Sequence, residues 1–458
     1  MPSIVTVNVS QNIAPIPDGL QKTGAFISQG GTTTAPGTLT LLTQLSDLTP
    51  VRSVPRALAT VTWSGGTVTA TTTAPHGYAT GLIFPIAIAG VTPAAYNGTY
   101  TCTITGASAF TYAKVSDPGS QTVAGTFVPA ASAELLSMAT TFFGQGASVS
   151  VYVLELGPGS VTAGVAALTA YLTANPNTIY SFLVPRAWDA NADFLALVAD
   201  FESTTAKQYF WVTTTLDNYD SYTALMKDVI ALVEAPGIPA TEFSLAAPFW
   251  VALHYAPSTT NKVTPFAFSY LFGVTPYPTH GNNATLTALK NANVNYVGTG
   301  AEGGISTAIL LWGTTMDGRD FTYWYSVDWV QINIQLSISN AVINGSNNPI
   351  NPLYYNQDGI NRLQAVAARV LSSAVTFGLA LGTVVQTDLD TTDLSDAIAS
   401  GAFAAKAVVN AVPFVPYASA NPSDYRIGLY AGLAAIYIPA RGFIHIIFNL
   451  NVTDFVTV

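Results

Sequence analysis

The stretch VSVYVLELGPGSVTAGVAALTAYLTANPNTIYSFLV, from Val149 to Val184, decides the fold. It opens on a short run of β-branched and aromatic residues, Val149-Ser150-Val151-Tyr152-Val153-Leu154, and closes on another, Ile179-Tyr180-Ser181-Phe182-Leu183-Val184. Such runs, bounded by glycine and proline, read as strands. Residues 161–174 between them read as a helix. Strand, helix and strand in that order make a βαβ unit, whose two strands lie parallel. Tyr209-Phe210-Trp211-Val212 is a third strand of the same kind, and residues 189–206 and 219–234 are further helix candidates. The expectation is a mixed α/β domain around a largely parallel sheet.

Working outward, that domain covers residues 23–57 and 130–300. Residues 58–129 interrupt it with a different character, rich in Thr, Gly and Pro. Alternating stretches such as Thr67-Val68-Thr69-Ala70-Thr71 and Thr99-Tyr100-Thr101-Cys102-Thr103-Ile104 point to an all-β insertion, a small antiparallel β-sandwich-like module. Residues 301–440 form a third, C-terminal α/β region. Within it Ala308–Trp312 is a strand candidate, 323–343 a long apolar helix, and 358–377 an amphipathic helix with Ile360, Leu363, Ala367, Val370 and Ala374 at spacings of three and four. Val370–Thr387 reads as a buried helix and a following loop, since its serines, threonines and glycines suit no membrane span.

Both ends alternate strictly. Ile4, Val5, Val7 and Val9 stand near the start, before Pro15 and Pro17, and Ile444, Ile446, Phe448, Leu450 and Val452 stand near the end. A strand cut off by prolines cannot pair with its sequence neighbour. Residues 1–22 and 441–458 therefore read as extended N- and C-terminal strand arms, suited to exchange between subunits. The fold class expected is α+β or mixed α/β, multidomain.

Composition narrows the function. The 458 residues carry 15 Lys+Arg against 25 Asp+Glu, a formal net charge of -10, and only 9% are charged while 49% are hydrophobic. A soluble domain usually has about 25% charged residues. Mean hydropathy is +0.38. This excludes disorder, and the lack of basic clusters argues against nucleic acid as a partner. So few surface charges suit a chain covered by other subunits. The N-terminal residues show no basic segment leading into an apolar run, so no secretory signal is expected.

Chemistry is sparse. The single cysteine, Cys102, excludes a disulfide framework and reads as a buried thiol. Gly298-Thr299-Gly300-Ala301-Glu302-Gly303 fits the dinucleotide fingerprint in letters, but an apolar strand follows it where a helix is needed, so it reads as a loop joining two strands. His76, His254, His280 and His445 are isolated. Asp388, Asp390, Asp393 and Asp396 lack the glycine and glutamate of a calcium loop; Asp393 or Thr392 capping a helix over 394–411 is the simpler reading. No catalytic residue, cofactor site or metal site is expected, and the chain does not read as an enzyme.

Three segments together resemble the tail sheath proteins of contractile bacteriophage tails. Leu289-Lys290-Asn291-Ala292-Asn293-Val294-Asn295, Gly303-Gly304-Ile305 and Leu311-Trp312-Gly313-Thr314-Thr315-Met316 are similar to that family's L-x-x-A-x-[VI]-N stretch, glycine-rich turn and V-W-G-x-R-T strand, with Thr314-Thr315 where the family has A-R. The helix 323–339, the linker Asn347-Asn348-Pro349 and the helix 358–377 follow in the family's order. Tyr425–Tyr430 and Ala435–Ile444, with Pro439-Ala440-Arg441, resemble its final pair of strands. The insertion resembles a β module of phage structural proteins through Pro75-His76-Gly77, Ile88–Pro93, Tyr96–Tyr100 and Phe110-Thr111-Tyr112.

The resemblance implies a sheath-like core and a structural subunit that polymerises as a helical homo-oligomer of stacked rings. Its implied partners are the tail tube, baseplate and tail terminator proteins, with no membrane-spanning segment. Its implied place is the virion, assembled in the host bacterial cytoplasm. It also implies that residues 3–10 and 443–453 pair across subunits and that the insertion faces outward. Arg426 and Arg441 read as making either local ion pairs, the simpler expectation, or lattice salt bridges that switch on contraction. The alternative is a non-contractile tail tube, baseplate or other virion protein, and behind it a β-module adhesin.

Overall fold

The computed structural model describes residues 19–202, 207–222, 226–278, 281–300 and 307–443. After a 3-10 turn at Leu20–Lys22 come strands β1 (Gly24–Ser28) and β2 (Leu39–Leu42). The next six strands are β3 (Arg56–Ser64), β4 (Thr67–Thr72), β5 (Ile83–Ala89), β6 (Gly98–Gly106), β7 (Ala109–Ala113) and β8 (Thr126–Pro129). They close on themselves as an antiparallel barrel in the order β3-β4-β7-β6-β5-β8. The β-sandwich-like expectation for 58–129 is corrected here: β8 pairs with both β3 and β5, which leaves no open edge to divide two sheets. The barrel has its own core, from Val61, Val68, Ile86, Cys102, Phe110 and Phe127. Pro55 and Pro129 stand at its entrance and exit, and Arg56 and Ala57 of β3 pair with Phe127 and Thr126 of β8, so the chain enters and leaves side by side.

The chain continues through α1 (Ala130–Phe143), β9 (Val151–Glu155), α2 (Val161–Ala174), β10 (Ser181–Leu183), α3 (Ala192–Phe201), β11 (Tyr209–Thr214) and β12 (Val229–Val233). Then come α4 (Ala246–His254), α5 (Asn283–Asn291), β13 (Asn295–Thr299) and β14 (Ala308–Leu311). Eight strands form one sheet in the order β14-β13-β12-β11-β10-β1-β9-β2. From β13 to β9 all neighbours are parallel, and antiparallel β14 and β2 form the two edges. The parallel expectation holds.

Two expected elements differ. The described residues of 219–234 hold no long helix: a short 3-10 turn covers Tyr219–Tyr222, and Val229–Val233 is strand β12, buried throughout. An apolar run covered on both faces has no amphipathic signature to separate strand from helix. The helix expected over 189–206 is confined to Ala192–Phe201 among the described residues, with Asn191 capping it through Asp193 N and Phe194 N.

Side chains alternate across the sheet. Tyr209 and Trp211 of β11 enter a core shared with α1 and α4, and Phe210 and Val212 enter the core on the other face with α2, α3 and α5. The two-residue period of a strand produces this sorting. Leu20 and Gln21, placed in the N-terminal arm by sequence, are buried against the first face.

The third region holds α6 (Phe321–Ser346), α7 (Gln357–Thr376), β15 (Ala380–Leu381), β16 (Thr383–Thr387), α8 (Thr391–Ala399) and β17 (Lys406–Ala411). It ends in α9 (Phe414–Ala420), α10 (Pro422–Ile427), β18 (Leu433–Ile436) and β19 (Ile438–Pro439). Here β16, β17 and β18 make a three-stranded sheet and β15 pairs with β19. Both α6 and α7 match their expected spans. The loop expected after residue 376 is instead β15 and β16. The helix expected over 394–411 is α8 followed by strand β17, and its cap is Asp390, whose carboxylate accepts from Thr392 N and Asp393 N. Among the described residues no helix is long and apolar enough to cross a membrane.

Cys102 is buried in the barrel, and burial pushes its thiol up to about 12. We expect it to resist a maleimide in the folded protein and to react once guanidinium unfolds the chain. Rapid labelling of the native protein would show that the barrel opens.

Candidate assembly surfaces

The parallel sheet presents a natural ligand crevice at the carboxyl ends of its strands, where open α/β sheets hold ligands. Here the chain fills it. Glu155, at the end of β9, is buried and accepts from Gly30 N, Thr32 N, Gly157 N and the hydroxyls of Ser28 and Thr32 at 2.6–3.0 Å. All of its acceptor capacity is used by its own fold, as a buried carboxylate requires. The glycine-rich stretch at 298–303 starts inside β13, and the next element among the described residues is β14, which pairs antiparallel with β13; residues 301–306 lie outside the described residues. Gly313 follows Trp312 with φ +74°, and a Cβ there would sit 2.6 Å from Ala267 N, which explains the glycine of the Trp-Gly pair.

The two described histidines, His76 and His254, stay apart. His76 is buried in the barrel with its ring stacked on Tyr78, and its Nδ1 accepts from Tyr78 N at 3.2 Å. Burial lowers its pKa, which favours the neutral ring. His254 ends α4 stacked on Trp250. His280 and His445 lie outside the described residues. Among the described residues no group of three His, Cys, Asp or Glu is arranged to hold a metal.

The most demanding electrostatics lie beneath the sheet. Asp328, the one charged residue in α6, is buried. Its Oδ2 accepts from the hydroxyls of Tyr180 (2.8 Å) and Tyr209 (2.9 Å), and its Oδ1 lies 3.0 Å from Lys207 Nζ. Gln21 joins by donating to Tyr325 O at 2.9 Å and to the Tyr180 hydroxyl at 3.3 Å. Burial and the Asp328 charge push both tyrosines well above their usual range. Beside them Lys227 Nζ lies 2.6 Å from Asp228 Oδ1. Burial pushes Asp228 up to about 7, against the opposing pull of Lys227. Sequence reading missed this anchor, although a lone aspartate in a long apolar helix was a visible signal.

The three-stranded sheet is the exposed counterpart. Its centre, β17, has Ala407, Val408, Val409 and Asn410 fully buried, while β16 pairs parallel and β18 antiparallel on either side. The outer edges of β16 and β18 have no ladder partner among the described residues. From α7, Gln364 donates to Thr387 O (2.7 Å) and Val409 O (3.0 Å), and Asn410 closes the chain turn by accepting from Leu389 N and donating to Leu389 O. The sheet is thus held from one face with its edges open. Beside it α9 and α10 leave apolar side chains in solvent, with Val415 69% and Ile427 70% exposed, a mark of an interaction surface.

The strand predicted over Tyr425–Tyr430 is instead helix α10, opened by Pro422 and closed by Gly428 at φ +76°. Tyr425 packs its ring against Tyr355 and Phe414. Arg426 and Arg441 are both exposed, on α10 and after β19, and neither forms an ion pair among the described residues. Ile4, Val5, Val7 and Val9, and Ile444, Ile446, Phe448, Leu450 and Val452, lie outside the described residues.

Structural comparison finds sheath proteins. The helical sheath of the anti-feeding prophage in its contracted state matches 98% of this chain and 99% of its own, with 11% identity and a TM-score of 0.50. The sheath tail protein Lin1278 of Listeria innocua matches 78% of this chain and 85% of its own, with 10% identity and a TM-score of 0.39. That of Desulfitobacterium hafniense matches 81% and 90%, with 10% identity and a TM-score of 0.37. No protein-family model and no curated protein matches the chain. The likeness to the anti-feeding prophage sheath runs almost the whole length of both chains, and this chain has that fold.

Replacing Asp328 by Ala strips Lys207 and two tyrosine hydroxyls of a shared buried partner. The expected loss is about 3–5 kcal/mol, the usual cost of breaking a buried pair from one side. Denaturant unfolding of unassembled subunits measures it; a loss below about 1 kcal/mol would mean the network carries little of the stability.

Proposed function

We propose that this chain, which shares the fold of a helical sheath protein, is the structural subunit of a contractile bacteriophage tail sheath. It polymerises helically around a tail tube and contracts to drive that tube through the host envelope. The observation that carries the proposal is the near end-to-end likeness to the anti-feeding prophage sheath. The low charge content and the open edges of β16 and β18 agree with it.

The mechanism follows from strand addition. Residues 3–10 and 443–453 of neighbouring subunits add to the open edges of the small sheet. Main-chain hydrogen bonds then join subunits whatever the side chains do, so the mesh stays connected while subunits rotate and slide. Contraction is a passage from a metastable extended lattice to one of lower energy. A gain of a few kcal/mol per subunit suffices when every subunit contributes, on the ordinary scale of conformational equilibria. Arg426 and Arg441, exposed and without an ion pair among the described residues, reach carboxylates of neighbouring subunits. The parts are the arms 1–22 and 441–458, the middle domain 23–57 with 130–300, the insertion 58–129 and the inner domain 301–440. The tail tube, baseplate and terminator proteins are its partners in the virion, with assembly in the host cytoplasm.

Cryo-electron microscopy of the protein, alone and with a tail tube protein, tests the proposal. Hollow helical cylinders linked through both termini support it. Monomers or small closed rings under both conditions overturn it in favour of a baseplate component. Deleting residues 1–12 is expected to leave a folded chain that forms no cylinders, and wild-type cylinders from it would refute the arm mechanism.

The barrel tests a second element. Because Ala57 and Thr126 are antiparallel neighbours, residues 58–125 can be replaced by Asn-Gly, a two-residue hairpin turn. An outward-facing module predicts that this shortened chain still assembles. Loss of cylinders from a folded chain would make the barrel part of the lattice.

A further inference from the structure

Helices α6 and α7 fold back on each other as a hairpin, and a groove runs along it. Near the first described residues a hollow of about 190 Å³ is lined by Gly19, Leu20, Lys22, Tyr325, Trp329 and Asn333. A larger one of about 530 Å³ continues from Trp329 and Asn333 along α6 to Asn344, with Val366, Arg369 and Phe377 of α7 as its other wall. The same two side chains line both, so the groove is continuous and begins where the described chain begins.

We propose that residues 11–18 of the same chain, Gln11-Asn12-Ile13-Ala14-Pro15-Ile16-Pro17-Asp18, occupy this groove. Length agrees: eight extended residues span about 26 Å, and α6 from Trp329 to Asn344 rises about 22 Å. Chemistry agrees as well. Pro15 and Pro17 favour an extended left-handed conformation, and proline-rich segments dock in aromatic-lined grooves. Trp329 and Phe377 form such a wall, their rings edge to face at 5.6 Å. Two prolines also leave the segment with more carbonyl acceptors than N–H donors. Asn340, Asn344 and Arg369 line the groove with side-chain donors that match. Arg369 is exposed and forms no ion pair among the described residues.

The consequence is geometric. The N-terminal arm takes its root at the far end of the hairpin, about 26 Å from Gly19 by the length of the docked segment. That root decides which neighbour residues 3–10 can reach. The docking itself needs no lattice and stands whether or not the chain forms a sheath.

The test uses the full-length, unassembled protein, expressed as a mixture of normal and ¹⁵N-labelled chains. A benzophenone amino acid replaces Ser337 in one variant, Asn344 in a second and Thr391 on α8 in a control. After irradiation, mass spectrometry is expected to find Ser337 joined near Ile16 and Asn344 joined near Ile13, each within one isotopic species, and no such product from the control. Cross-links between isotopic species would assign the groove to a neighbouring copy. Cross-links elsewhere, or none to residues 11–18, would overturn the proposal as well. Circular dichroism matching the unmodified protein guards against a misfolded variant.

Discussion

The buried carboxylate of Asp328 is the constraint on which the rest of the structure depends. It stands in a helix without another charge, pressed against the underside of a parallel sheet. Two tyrosines from adjacent strands and one lysine converge on it. An apolar helix surface can slide or rotate on an apolar sheet at small cost, because hydrophobic contact is non-directional. A carboxylate that must meet three donors cannot, since leaving any of them unpaired in the interior costs far more than a lost contact. Asp328 therefore sets the position of α6, and α6 in turn carries α7, the small sheet and the apolar knob of α9 and α10.

Rigidity is graded along that path. The large sheet is packed on both faces, on one by Trp211 against Phe249, Phe266 and Phe321, and on the other by Phe210 against Phe182 and Phe194. The small sheet is covered by α7 on one face, and its edges have no ladder partner among the described residues. Elements that must exchange partners belong at the less covered end of a structure, where backbone groups remain available. The arrangement joins a closely packed body to a less covered margin, as the proposed sheath role requires.

Much of this was legible. The βαβ order, the spans of α2, α6 and α7 and the strands on either side of the glycine-rich stretch all follow from local pattern. The misses share a cause. Val229–Val233 and Lys406–Ala411 carry strand-favouring valines and isoleucine, but each strand is buried on both faces and so lacks the two-residue alternation that marks a strand in sequence. At Gly401, φ +73° marks the break that separates α8 from β17. Pro422 and Gly428 were a start and a stop for α10, outweighed in the reading by the resemblance to a strand pair.

What the sequence by itself determined is the set of pieces: which runs alternate with period two or recur at three and four, where glycine and proline interrupt them, and how little charge there is for a free surface. Local periodicity and backbone restrictions act over a few residues and are written in adjacent letters. Only the tertiary structure decided that six strands close into a barrel, that Asp328 meets tyrosines more than a hundred residues away, and that β16 and β18 flank β17 with no outer ladder partner among the described residues. These depend on contacts between segments distant in the chain, whose energies arise only when both partners have been brought out of water together.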